Sequence, residues 1–334
     1  MTTPRRLFAL LTLSSTLLAP CSPMHAAESS AVFPLWPEGV PAPVRTDVAA
    51  AKGPLGPEEN ADGKRFSNVS TPTLQVVRPA TDRPNGTAVI ICPGGGYGNL
   101  SYEREGIQYA TWLSHLGVTS FILKNRLKEY GHPAPLQDVL RAVRIVRSRA
   151  AEFKIDPARI GVMGSSAGGH LAASAGTLYA NPAGKTGAPL DAVSGRPDFL
   201  ILMYPVITTA DPAAHVGSRE NLIGKSPAPE LRELTSLEKQ VTASTPPTLL
   251  IHTQEDKSVP VENSILFYQA LTKAGVPAEM YLFEHGSHGM GMRDGLGTAS
   301  DWPDRAKEWL KARGLLTPLP PPPAPPAAPA PPAK

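Results

Sequence analysis

The sequence predicts an α/β fold: a mainly parallel, doubly wound sheet flanked by helices, with a small cap-like insertion. Three observations carry this. Short apolar runs of five or six residues alternate with segments of helical spacing, which is the rhythm of βαβ units. Most of those runs are continuously apolar, as strands covered on both faces must be. The chain has 334 residues, 41% hydrophobic and 18% charged, enough for a sizeable core.

The elements follow in order. Residues 1–27 read as a secretory signal peptide, with Arg5 and Arg6 before an apolar stretch from Leu7 to Ala19 and small residues around Ala27. This implies a periplasmic or secreted protein. Residues 28–72, rich in Pro, Gly and Ala, read as an ordered but irregular N-terminal wrap. Strands are then expected at Leu74–Arg78, Thr87–Cys92, Val118–Leu123, Arg159–Met163, Phe199–Tyr204, Thr248–His252 and Ala278–Phe283. Helices are expected at Glu103–Leu116, Pro135–Phe153, Ser166–Leu178, Val261–Ala274 and Asp301–Arg313. Residues 205–247 break the rhythm and read as the insertion. The folded body is therefore 28–315. Residues 316–334 read as a proline-rich tail, because proline lacks the N–H that helix and sheet require.

Composition excludes several classes of function. Without Arg5 and Arg6, 30 basic residues face 29 acidic ones, so no basic footprint for nucleic acid remains. Two cysteines, Cys21 and Cys92, cannot make a disulfide scaffold or a four-cysteine metal site. Beyond the leader, no apolar run is long enough to span a bilayer. No His-x-x-x-His or Glu-x-x-His pair suggests a metal, and no cofactor is expected.

The chemistry concentrates at Gly164-Ser165-Ser166-Ala167-Gly168. This motif follows a buried strand and opens an Ala/Gly-rich helix. A sharp turn there lifts one serine, Ser166, above the sheet, and the helix N-terminus adds donors for negative charge. Serine needs a base, and the base needs an orienting acid. Asp256 and His288 each lie just past a late strand, in the chain order serine, acid, histidine. Glu255 is the rival acid and His285 the rival base. Between an earlier strand and helix, Pro93-Gly94-Gly95-Gly96-Tyr97-Gly98 offers backbone N–H groups. Those of Gly95 and Gly96, with that of Ala167, would form an oxyanion hole. It lacks the Gly-Lys-[Ser/Thr] ending of a phosphate loop. His170 reads as packed. Tyr97, Arg126 and Trp302 are the candidates for lining a sugar site.

The strings Pro93-Gly94-Gly95-Gly96-Tyr97, GSSAGG and HTQEDKSVP resemble the α/β-hydrolase superfamily. FPLWPEGVP, LKNRLKEYGHPAPLQDVLRAVRIVR and IDPARIGVMGSSAGGHLAA narrow the resemblance to secreted bacterial esterases of the acetyl xylan esterase and feruloyl-esterase-like group, over roughly 32–313. The resemblance implies ester hydrolysis, with Ser166 as nucleophile, Asp256 as orienting acid and His288 as base. It implies an ester substrate such as acetylated xylan or an oligosaccharide. Pro93 stands where hormone-sensitive-lipase-like relatives carry histidine, which leaves open which glycine amides donate. Two other functions fit the same motifs: a general carboxylesterase for small or lipid-like esters, and a catalytically inactive hydrolase fold used for binding. A prolyl-oligopeptidase-type peptidase does not fit, because the segment before the first strand is too short for a propeller.

Overall fold

A computed structural model describes residues 31–41, 58–61, 63–81 and 84–319. The expected leader, 1–27, and residues 320–334 of the expected tail lie outside the described residues.

The strands, in chain order, are β1 (Val32–Pro34), β2 (Glu59–Ala61), β3 (Arg65–Ser67), β4 (Thr73–Val77), β5 (Ala88–Cys92), β6 (Thr119–Lys124), β7 (Ile160–Ser165), β8 (Phe199–Met203), β9 (Thr248–Thr253) and β10 (Ala278–Phe283). β2 and β3 pair as a small separate hairpin. The other eight form one sheet in the order β1-β4-β6-β5-β7-β8-β9-β10. β1 and β4 run antiparallel to their neighbours, and every pairing from β6 to β10 is parallel.

The helices are α1 (Gln108–His115), α2 (Ala134–Ser148), α3 (Ala150–Phe153), α4 (Ala167–Thr177), α5 (Val216–Ile223), α6 (Pro229–Leu234), α7 (Glu262–Lys273) and α8 (Trp302–Ala312). A wider, π-helical turn, Glu103–Ile107, leads into α1. The expected single helix over 135–153 is broken at Arg149, which leaves helical geometry at φ −106°, ψ 22°. Its guanidinium lies over the Phe33 and Phe153 rings, 4.6 and 4.8 Å from their centroids.

Strand side chains alternate between two apolar layers, as the period of two requires. In β5, Ala88, Ile90 and Cys92 join the layer shared with α2, α4 and α7. Val89 and Ile91 join the layer shared with α1 and α8. This double cover is why β5 to β9 read as continuous apolar runs.

Among its described residues, the expected ordered but irregular wrap contains regular elements. It holds β1 and the β2–β3 hairpin, and its Leu35 and Trp36 are buried. The Trp36 indole N–H donates to Asp138 Oδ1 at 2.7 Å, and Arg141 Nε donates to the Leu35 carbonyl at 2.6 Å. Three-residue strands are too short to register as a repeating pattern. The insertion, 205–247, carries α5, α6 and a short turn of helix at Leu237–Gln240. Asn263 on α7 accepts from the Ile207 and Thr208 amides and donates to the Ala213 carbonyl, so the insertion is fastened to the body. The fold also runs slightly past 315. The Leu315 carbonyl accepts from Thr87 Oγ1 at 2.5 Å, Leu316 packs on the α8 layer, and Arg159 Nη1 donates to the Thr317 carbonyl.

The ends of β5, β7, β8, β9 and β10 that carry their C-termini lie along one edge of the sheet. Loops there converge, as binding loops do in open α/β sheets.

Candidate active site

Ser166 sits between β7 and α4 with φ 55° and ψ −122°. A non-glycine residue rarely adopts such a positive φ, and holding it costs on the order of 1–3 kcal/mol. The surrounding contacts impose it. The Ser166 amide donates to the Met203 carbonyl, and its own carbonyl accepts from the Val206 and His170 amides. Both flanking glycines are sterically required. A Cβ on Gly164 would lie 2.0 Å from the Gly168 carbonyl oxygen, and one on Gly168 would lie 2.1 Å from the Cys92 oxygen. The chain can make this turn only without side chains at those two positions.

His288, on the loop after β10, brings Nε2 to 2.8 Å from Ser166 Oγ. Its Nδ1 lies 2.6 Å from Asp256 Oδ2. Nδ1–H therefore donates to the carboxylate, and Nε2 is left to accept the serine proton. Asp256 Oδ1 accepts from the Ser258 and Val259 amides, both at 2.9 Å. Burial would raise the Asp256 carboxyl, but hydrogen bonds from His252, His288 and the Val259 amide outweigh it and hold the group well below the usual carboxylate range. It stays ionised. The rivals are elsewhere: His285 is largely exposed and pairs with Glu255 at 3.1 Å, away from Ser166.

The glycine loop lies against the serine turn. A Cβ on Gly94 would meet the Ser165 carbonyl oxygen at 2.6 Å and Ser166 Cβ at 3.0 Å. The Gly94 amide is already committed to Glu105 Oε2 at 2.8 Å. The amides of Gly95, Gly96 and Ala167 donate to no acceptor among the described residues. The Tyr97 amide is likewise without an acceptor there, so the loop and the helix start together present several free N–H groups beside Ser166. Gly95 and Gly96 have φ of 133° and 63°, which suits glycine. Asn221 of α5 donates to the Gly96 carbonyl at 2.8 Å, so the insertion braces this loop.

The three candidate sugar contacts are all buried side chains, Tyr97 within the glycine loop itself. Arg126 is fully buried, with Nε and Nη2 bound to the Asp138 carboxylate and its own amide 2.7 Å from Asp138 Oδ2. Its charge is spent inside the core. Trp302 is 2% exposed, and its indole N–H donates to the Gly291 carbonyl at 2.8 Å, anchoring the His288 loop from below. Tyr97 is buried, and its hydroxyl donates to His170 Nδ1 at 2.8 Å. His170 Nε2 in turn donates to the Thr235 carbonyl, tying the glycine loop to the insertion. An aromatic or guanidinium side chain near a motif signals packing as readily as ligand contact.

The sequence reading passed over several residues that shape the site. Among them are Glu105, Tyr204 and Asn221, which meet partners distant in the chain, and His252, whose partners Asp256, Val259 and Ser264 lie on the loop and helix that follow it. Only the ending of a strand beside each loop could have pointed to His252 and Tyr204. Beside His288 lies an open groove of about 470 Å³, lined by Glu255, Lys257, Ser258, Gly286, Ser287 and His288.

Known proteins share this arrangement's sequence and shape. A BD-FAE family model matches residues 74–271. Endo-1,4-beta-xylanase B of Butyrivibrio fibrisolvens is 38% identical over 206 residues, 60% of this chain and 32% of that protein. The acetylxylan esterase of Xylanibacter ruminicola is 34% identical over 246 residues, 71% of this chain and 48% of that protein. The chain thus spans about a third to a half of the length of these curated relatives. A crystal structure of an acetyl ester-xyloside bifunctional hydrolase from Caldicellulosiruptor lactoaceticus superposes with a TM-score of 0.72 at 37% identity, covering 87% of this chain and 99% of that one. Strand order, serine turn and sequence likeness together make the chain a member of the BD-FAE family, with an α/β-hydrolase fold.

Proposed function

We propose that the protein is a serine carboxylic ester hydrolase that removes acetyl groups from plant cell-wall polysaccharide, acetylated xylan or its oligosaccharides. The observation that carries this reading is the unbroken chain of contacts from Ser166 Oγ through His288 to Asp256, at 2.8 and 2.6 Å.

In this reading His288 Nε2 takes the Ser166 proton as Oγ attacks the ester carbonyl. Asp256 holds the tautomer and stabilises the imidazolium. The amides of Gly95, Gly96 and Ala167 receive the oxyanion, each donor being worth about 3–4 kcal/mol in comparable sites. His288 then gives its proton to the leaving oxygen, and the alcohol departs. Water enters, loses a proton to His288 and attacks the acetyl-enzyme. Acetate leaves and Ser166 recovers its proton.

The proton donor fixes where the alcohol must lie. The leaving oxygen has to sit beside His288 Nε2, so the alcohol extends toward the groove bordered by Glu255, Lys257 and Ser258. That groove is open and carries the charged groups of Glu255 and Lys257 and the hydroxyls of Ser258 and Ser287, which supports a hydroxylated, polymeric alcohol. Export through the leader at 1–27 belongs to the same reading, since a polysaccharide of that size lies outside the cell.

The test is acetate release from acetylated xylan, beside p-nitrophenyl acetate and longer acyl esters, with Ser166→Ala as control. Serine-dependent release from the polymer is expected. Hydrolysis of the small esters alone would overturn the xylan assignment and leave a general carboxylesterase.

A further inference from the structure

The proposed reaction uses one serine, one histidine, one aspartate and three amides. It gives no task to a buried carboxyl directly behind them. Glu105, in the π-helical turn before α1, is 4% exposed. Its Oε2 accepts the Gly94 amide at 2.8 Å, and its Oε1 accepts the Tyr204 hydroxyl at 2.8 Å.

Tyr204 follows β8 and reaches the other loops. Its oxygen accepts the Gly291 amide at 3.3 Å, three residues past His288. Its ring stands edge-on to the His288 ring, with centroids 5.1 Å apart. The Tyr109 hydroxyl lies 3.1 Å from both Tyr204 Oη and Ser165 Oγ. Gly291 also packs on the turn that carries Glu105, since a Cβ there would lie 2.8 Å from Arg104 Cγ. One carboxyl is thus joined to the glycine loop, the serine turn and the histidine loop.

We infer that Glu105, acting with Tyr204, is a positioning residue that fixes the oxyanion loop and the His288 loop at one mutual distance. Glycine-rich loops have few side chains of their own to hold them. Catalytic groups nonetheless have to stay within about 0.5 Å of productive geometry. Capture of the Gly94 amide fixes the start of the loop whose Gly95 and Gly96 amides have no acceptor among the described residues. The links survive either protonation state. An ionised carboxyl accepts from both partners. A protonated one keeps accepting the Gly94 amide and donates to Tyr204 Oη, whose own proton then turns to Tyr109. Glutamine can mimic the second pattern, its oxygen facing Gly94 and its NH₂ facing Tyr204.

The kinetic readout rests on the ester-hydrolase reading, so a second readout independent of turnover accompanies it. In the full chain, Glu105→Ala, Glu105→Gln and Tyr204→Phe are assayed on p-nitrophenyl acetate. Rates are normalised to Ser166 titrated with a fluorophosphonate. Loop misplacement on this scale costs roughly 100-fold, so Glu105→Ala is expected to lose about that in kcat with KM within about threefold. Glu105→Gln is expected within about fivefold of the parent, and Tyr204→Phe between the two. Hydrogen–deuterium exchange is expected to quicken in both 93–98 and 286–293 in Glu105→Ala and Tyr204→Phe. Parental kcat per titrated serine in Glu105→Ala would overturn the inference, as would Glu105→Gln failing as badly as the alanine variant. If Glu105→Ala does not fold, Tyr204→Phe decides: parental kcat and exchange in that variant sink the proposal. A parent chain without turnover sinks the hydrolase reading alone, and the exchange of the two loops still decides the positioning role.

Discussion

His252 and His288 approach the same oxygen of Asp256 from different elements. His288 Nδ1 lies 2.6 Å from Oδ2, and His252 Nε2, at the end of β9, lies 3.3 Å from it. His252 Nε2 also faces the Val259 carbonyl at 3.1 Å, an acceptor only, so that nitrogen carries the proton. Nδ1 is then free to accept from Ser264 Oγ at 2.8 Å. Two amides on Oδ1 and His288 on Oδ2 give the carboxylate three N–H hydrogen bonds, and His252 Nε2, bonded to the Val259 carbonyl, lies close beside it.

Removing the His252 imidazole should loosen the carboxylate without abolishing the chemistry. His252→Phe is expected to lower kcat by roughly tenfold, far less than the ~10⁴ typical of losing the acid's charge, which Asp256→Asn should show. Steady-state kinetics on p-nitrophenyl acetate checks both. Equal losses in the two variants would mean that His252 does more than orient the acid.

The pair Arg126 and Asp138 predicts a loss of stability with little loss of chemistry. Both side chains are fully buried, and Asp138 also accepts the Trp36 indole, so it pins the N-terminal segment to α2. Breaking a buried pair on one side typically costs about 3–5 kcal/mol. Asp138→Ala should unfold at markedly lower denaturant concentration, while kcat per titrated serine stays near the parent's. A normal unfolding midpoint would show the pair to be dispensable.

His170 predicts an acid limb in stability. Burial, the largest cause, pushes it down to about 4, partly opposed by its bond to the Thr235 carbonyl. The unfolded histidine takes up its proton near pH 6.5, whereas the folded one resists. Its neutral form therefore supports the fold fully above about pH 6.5, and that support drains as pH falls toward 4. Two and a half pH units correspond to roughly 3 kcal/mol. Thermal unfolding of the parent and of His170→Gln between pH 7 and pH 4.5 checks this. The variant should be less stable at pH 7 and show a shallower decline. Parallel curves would remove His170 as a source of the acid limb.

Much of the fold was legible because its strands are covered on both sides. β5, β7, β8 and β9 stand out as apolar runs whose neighbours in the sheet are also apolar. The serine turn was legible for a related reason. Gly164 and Gly168 are spaced by a backbone crossing that no side chain can enter, so the constraint is local and leaves a local mark. Asp256 and His288 were legible from their places just past strand ends.

What escaped was long-range. Glu105 and Tyr204 are distant in sequence and meet through a single hydrogen bond, so neither has a local pattern. Arg126 and Trp302 carry the chemistry of sugar contacts, but their exposure is decided by packing against Asp138 and Gly291. β1 and the β2–β3 hairpin are too short to show a period.

The central claim is that Ser166 is the group that becomes acylated. Mass spectrometry of the protein after treatment with a fluorophosphonate tests it most directly. The account predicts one adduct per chain, located on Ser166, absent from Ser166→Ala and strongly slowed in His288→Ala. An adduct on another serine such as Ser165, or no adduct in a folded chain, would contradict it.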